Sequence, residues 1–417
     1  MSFALPLALA VLLLASGCAA SRVTPDAVGV SVEPGPCGRG LLVLESDYQS
    51  SNVSALAFDG SVLSPSLASS ATESSGFGVA LSGDAVLPSS AQPGAQIVVI
   101  DRYPTGVLRF VDLARARVTA ELSVATGFRS NPQDYLALGE QKAYVARYGM
   151  NDSPGEQPFD AGGDILIVDP SVPNITGRID LSAALSGEAS AFSPHPAQLV
   201  QAQGRVFALL AAYADDFRSG VSSRLVELDP ASDSLTSTLV LDGLRGCDAL
   251  ALSPDQREIA IACTGDDLAS AHPKLAGSGL ALVDVSGTPR LTKRFDAVDL
   301  SPTVLGFDLA YAAPNVLFFV SLGYRADSGA IGALDTLFRL DTTTARASEV
   351  LRSEDEPFTL GGLHCETSCG LCFAADAERA GGSVLRFAID AAGVPDAPTV
   401  IRAETRVGLP PRYLGAF

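Results

Sequence analysis

The chain has 417 residues, 47 acidic against 28 basic, for a net charge of −19, with 47% hydrophobic residues and no tryptophan. Such an acid excess excludes recognition of nucleic acid or of anionic lipid through a basic face. One of the seven cysteines stands near the N-terminus; the other six, an even number, suit disulfides in an oxidising compartment.

Taken in chain order, residues 1–17 hold an uncharged apolar run from Phe3 to Ala15 and read as an export signal, not as part of the fold. The run is too short to span a bilayer, and no later stretch approaches the roughly 20 residues a span needs. It ends in Leu14-Ala15-Ser16-Gly17-Cys18, which resembles a bacterial lipobox. The resemblance implies cleavage before Cys18, a diacylglycerol on its thiol and, with no Asp following it, an outer-membrane lipoprotein. Two or more acyl chains attach a protein stably to a membrane. Residues 18–39, rich in Ala, Ser, Pro and Gly, read as a tether, and a single domain is expected over 40–417.

From there on, β-branched and apolar runs of five to eight residues alternate with Gly, Asp, Ser and Pro clusters, an all-β pattern. Two series repeat within it. A strand followed by aspartate recurs seven times, at Asp59, Asp112, Asp169, Asp229, Asp284, Asp341 and Asp390, at intervals long enough for four strands. Its carboxylate suits the turn that follows, where it can accept backbone N–H bonds. One hairpin earlier, a polar residue opens an apolar strand: Asp84, Asp134, Gln198, Asp248, Asp308, His364 and Tyr413. Seven four-stranded units, each too small to bury its own faces, predict a seven-bladed β-propeller. The last inner strand lies at the C-terminus and its partners at the N-terminus, so strands from both ends are expected to close the ring.

Lys142-Ala143-Tyr144-Val145-Ala146, Ile97-Val98-Val99-Ile100-Asp101 and Leu252-Ser253-Pro254-Asp255 resemble the strands of YVTN-type seven-bladed propellers and of bacterial propeller lipoproteins. That resemblance implies the fold and export, in a family that embraces binding proteins, cell-surface proteins and a few enzymes.

Six cysteines remain to be placed. Pairing strands about the turn at Asp255 sets Leu252 opposite Glu258 and Cys247 opposite Cys263, a disulfide across one hairpin. Cys365 pairs most simply with Cys372, leaving Cys37 and Cys369 to link neighbouring blades. A zinc site of the cysteines at 365–372 with His364 is the alternative. The three histidines, His195, His272 and His364, accompany no Gly-x-Ser-x-Gly elbow, so a serine-hydrolase triad is not expected. The strand-opening residues are then the candidate site, a ring at one mouth of the axial channel, beside the long loops 149–163 and 265–278. Four carboxylates there repel one another, which favours proton uptake or a hard cation such as Ca²⁺. The leading functional expectation is a non-catalytic binding or scaffold lipoprotein of the cell envelope with no nucleic-acid partner. The alternative is a metal-assisted, lactonase-like hydrolase at the channel mouth.

Overall fold

The computed structural model describes residues 27–31, 33–71, 78–214, 216–266, 274–403, 406 and 408–417. Seven four-stranded antiparallel sheets make the body of the molecule, with a two-stranded hairpin added to one of them. It is a seven-bladed β-propeller. The first blade begins with Asp84–Val86, the second with Pro132–Gly139, the third with Pro196–Ala202 and the fourth with Cys247–Leu252. The fifth begins with Leu305–Ala313 and the sixth with Leu360–Glu366. In the seventh, Pro411–Ala416 pairs with Leu41–Ser46, so this blade mixes strands from the two ends of the chain. Helices among the described residues are single turns of three or four residues, such as Ala297–Leu300. None is long and apolar enough to cross a membrane.

The aspartate series does locally what the residue type dictates. In all seven copies the carboxylate accepts a backbone N–H two or three residues on, from Ser61, Arg115, Ser171, Ala231, Ser286, Thr343 and Ala392. Each bond closes the turn into the outermost strand. Burial is greatest in the middle strands of the blades, while inner strands such as Pro411–Ala416 are half-open to the channel and outer strands to solvent. Val316–Ser321 is buried at every position, whereas outer strands such as Ser234–Val240 alternate half-buried with exposed residues. The apolar core is therefore spread over the seams between blades. Phe207, Leu209 and Leu225 of the third blade meet Ile259, Ile261 and Val283 of the fourth. Disulfides join Cys247 to Cys263, Cys365 to Cys372 and Cys37 to Cys369. Residues 365–372 thus hold a disulfide in place of the zinc alternative. Cys247 lies opposite Cys263 as expected, but Leu252 lies opposite Ile259 and not Glu258; the bulge at Asp248 makes up the one-residue difference.

The tether expectation needs a correction for residues 27–31 and 33–39, which lie on the propeller. Val28 donates its N–H to the Ser66 carbonyl and Val30 to that of Leu113. Arg39 bonds the Gly94 and Gln92 carbonyls, and Cys37 is tied to the sixth blade. Cys18 and the apolar N-terminal run lie outside the described residues.

Candidate functional site

First strands start, and second strands end, at one face of the ring. The channel opens there into a cavity of about 460 Å³ lined by residues of all seven blades. Its floor is Val86 and Leu87, where the first blade sends residues 87–92 across the axis. Ser89 on that crossing reaches Asp134 of the second blade and the Leu199 carbonyl of the third, while the Gln92 N–H bonds Ala416 of the seventh. A Cβ at Gly415 would stand 3.2 Å from Leu87, so a glycine there leaves room for the plug.

The predicted ring is divided by strand bulges. In the second blade the pairing skips from Pro132 to Asp134, in the third from Pro196 to Gln198, and in the fourth from Cys247 to Ala249. The skipped residues Gln133, Ala197 and Asp248 face the cavity, together with Arg412 at the equivalent skip of the seventh blade. Asp248 is thus one register step away from Asp134 and Gln198. His364 departs in the other sense, because the sixth-blade skip falls at Gly362. It lies in the seam to the seventh blade, its ring 6.1 Å from that of Phe58, and burial lowers its pKa to about 4. It is not part of the mouth.

Most ring members serve the fold. Asp134 is buried, and its carboxylate accepts from Ser89 N–H at 2.9 Å, Ser89 Oγ at 2.6 Å, Tyr135 N–H at 2.8 Å and Leu199 N–H at 2.8 Å. Gln198 Oε1 accepts from Leu250 N–H of the next blade at 2.7 Å, and Asp308 Oδ2 from Gly362 N–H at 3.0 Å. The rule is the same each time: a side chain of one inner strand satisfies a backbone donor of the next. Replacing Asp134 by Ala orphans the buried N–H groups of Tyr135 and Leu199 at once and frees that of the exposed Ser89, which should cost about 2 kcal/mol or more of unfolding free energy. Urea denaturation reads it, and an unchanged midpoint would contradict the staple.

Two groups are held for the cavity itself. Arg102, at the end of Gln96–Tyr103, donates to Asp84 through Nε at 3.0 Å and Nη2 at 2.5 Å. It also donates to Gln133 Oε1 at 2.9 Å and, more loosely, to the Tyr413 hydroxyl at 3.4 Å. Four of the five guanidinium N–H groups are so engaged, and one on Nη1 remains for a ligand. Asp248 lines the cavity and accepts a hydrogen bond from the Tyr148 hydroxyl; burial outweighs that bond and pushes its pKa up to about 7. Tyr148 is in turn fixed by His195, whose Nδ1 donates to the Tyr148 carbonyl at 2.6 Å, and by ring packing against Phe217. Asp134 is raised to about 6 and Asp308 upward as well, again by burial. The expected proton uptake is present, but desolvation drives it and not mutual repulsion.

A calcium site does not form from these residues. Asp84 is spent on Arg102, Asp134 on four donors and Asp308 on the sixth blade. Among the described residues no group of three or more His, Cys, Asp or Glu side chains is placed to hold a metal, far from the six to eight oxygens Ca²⁺ takes. Neither Arg102 nor Tyr148 belongs to the predicted ring. Both sit at the mouth-side end of a second strand, two residues past an apolar run such as 97–100 or 143–146, and that position is the signal that could have found them.

No protein-family model matches the sequence, and no curated protein matches it significantly. Solved structures do match. A putative 6-phosphogluconolactonase from Bacteroides fragilis superposes with a TM-score of 0.54 at 11% identity, over 92% of this chain and 99% of that one. The periplasmic gluconolactonase of Pseudomonas aeruginosa gives 0.51 at 13%, over 90% and 98%. A hypothetical selenium-binding protein from Sulfolobus tokodaii gives 0.56 at 7%, over 90% and 92%. The likeness is one of fold. It extends over nearly the whole propeller in all three.

Proposed function

We propose that the protein hydrolyses a cyclic ester in the mouth cavity. This replaces the leading expectation of a non-catalytic binding or scaffold lipoprotein, which is overturned by fold neighbours that include a putative 6-phosphogluconolactonase and a gluconolactonase. The observation that carries the reading is Asp248: a cavity-facing carboxylate whose pKa of about 7 suits a general base near neutral pH. In the reaction, Asp248 takes a proton from water, whose oxygen attacks the ester carbonyl carbon. The remaining Nη1 N–H of Arg102 and its positive charge stabilise the negative oxygen that develops there. Collapse breaks the ring C–O bond, the departing oxygen takes the proton from Asp248, and a hydroxy acid leaves. No step passes through a metal. Acid release from glucono-δ-lactone and δ-valerolactone, followed at constant pH by titration, tests the reading; rates no faster than the uncatalysed ones sink it.

We also propose that residues 1–17 export the chain and that Cys18 carries the lipid that holds it on the outer membrane. The three disulfides suit the oxidising compartment this requires. Cys18→Ser should then move the protein from the membrane fraction to the soluble one. Recovery of the wild type in the soluble fraction would refute the anchor.

A further inference from the structure

We infer that the mouth cavity holds a carboxylate site centred on Arg412, so that the ester cleaved there carries a carboxylate of its own; the second half rests on the hydrolase reading above. Four blades send a residue into the cavity by the same device. The strand pairing skips Gln133, Ala197, Asp248 and Arg412, and the residues before them are Pro132, Pro196, Cys247 and Pro411. A proline ring, or in the fourth blade a disulfide, restrains the backbone at each of these steps. Two of the four residues are charged, and they are of opposite sign. Asp248 belongs to the fourth blade and Arg412 to the seventh, so the base of the proposed reaction and this cation stand on different sides of the cavity.

Arg412 is oriented but not neutralised. Its Nε donates to the Ser46 carbonyl at 3.2 Å and its Nη1 to the Phe358 carbonyl at 3.0 Å, and its guanidinium lies over the Tyr48 ring at 5.1 Å. Both acceptors are uncharged. The other arginine of the wall, Arg102, is paired with Asp84, whereas Arg412 has no acidic partner among the described residues. One N–H of Nη1 and both of Nη2 remain, and together they make the end-on edge of the guanidinium. That edge offers two parallel N–H groups to the two oxygens of a carboxylate. A half-buried cation left unpaired costs free energy, which an anionic ligand offsets.

A carboxylate suits this edge better than a phosphate. Arg412 supplies one positive charge, and the same wall holds Asp248 and Asp308. A phosphate ester brings roughly −1.5 to −2 charges at neutral pH and is repelled by both carboxylates; a carboxylate brings a single charge, which Arg412 matches. Position around the ring completes the assignment. Arg412 and Arg102 come from neighbouring blades, the seventh and the first, and Arg102 Nη2 lies 3.4 Å from the hydroxyl of Tyr413, the residue after Arg412. With the ester carbonyl at Arg102, a carboxylate borne on the lactone ring lies on the Arg412 side, and Asp248 with its water stands across the cavity.

The test takes matched pairs: δ-valerolactone with and without a carboxylate on the ring carbon next to the ring oxygen, and glucono-δ-lactone with and without its 6-phosphate. The carboxylate should raise kcat/KM by about tenfold or more, and the phosphate by less. Arg412→Gln should bring the carboxylate gain down to near unity, and Arg412→Lys, which keeps the charge without the fork, should cut it at least about threefold. A larger gain from the phosphate, no gain from the carboxylate, or a gain that the lysine variant keeps in full overturns the inference; the lysine variant decides if the glutamine variant fails to fold. If the wild type hydrolyses no lactone, calorimetric titration with δ-valerolactam and with its ring-carboxylated form decides separately. Binding of the carboxylated lactam about tenfold tighter, and weakened in Arg412→Lys, upholds the carboxylate site and removes only the hydrolysis; any other result removes the site as well.

Discussion

Asp248→Asn is expected to lower kcat/KM for lactone hydrolysis by about 10²–10⁴-fold, the usual worth of a positioned general base. Asparagine keeps the shape and can still meet the Tyr148 hydroxyl, so the loss reports proton transfer and not a collapsed wall. In the wild type, kcat/KM should rise with pH through about 7 and then level, following the carboxylate that burial has shifted there. A rate flat down to pH 5 would remove Asp248 from the role. Stability should move the other way. Free aspartate titrates near ~3.9, so between there and 7 the folded state binds the extra proton. The contribution of Asp248 to stability is complete below about 4 and is lost as pH rises through 7. Asparagine does not ionise. The variant should therefore gain in melting temperature relative to the wild type as pH rises across this window. A constant difference would contradict the desolvation of Asp248.

Cys37→Ser is expected to give the largest stability loss of any single disulfide removal. The Cys37–Cys369 bridge spans 332 residues of sequence, against 16 for Cys247–Cys263 and 7 for Cys365–Cys372. In the chain-entropy model, loops of these lengths are worth about 6, 3 and 2 kcal/mol respectively. The long bridge also has a structural task. It ties the segment before Leu41–Ser46 to the turn between the first two strands of the sixth blade, and so it pins the blade assembled from the two ends of the chain. Urea unfolding of the three single Cys→Ser variants should rank them in that order. Equal midpoints for all three would mean that the unfolded chain is not what these bridges restrain.

The parts legible in the sequence are those whose cause is local. An aspartate at a strand end finds its N–H partner within three residues, so seven such aspartates announce seven turns and seven blades before any tertiary contact is known. The Cys365–Cys372 pair follows from its short hairpin for the same reason, whereas Cys247 meets Cys263 because the bulge at Asp248 cancels a one-residue error in the register counted from the turn. The mouth was legible only as a neighbourhood. Which residue of an inner strand faces the cavity depends on where the strand bulges against its partner, and a bulge of one residue exchanges Asp248 for Ala249 and carries His364 into a seam. Burial is equally non-local. Asp134 resembles Asp248 in sequence, but the chain crossing at Ser89 seals one into the axis as a staple, while Tyr148 and the open cavity leave the other able to exchange a proton. Sequence by itself determined the repeat, the fold class and the Cys365–Cys372 bridge, because turns and short hairpins are short-range. Only the tertiary structure decided which polar groups reach the mouth and in what protonation state, because desolvation and strand slippage are set by neighbours a blade or more away.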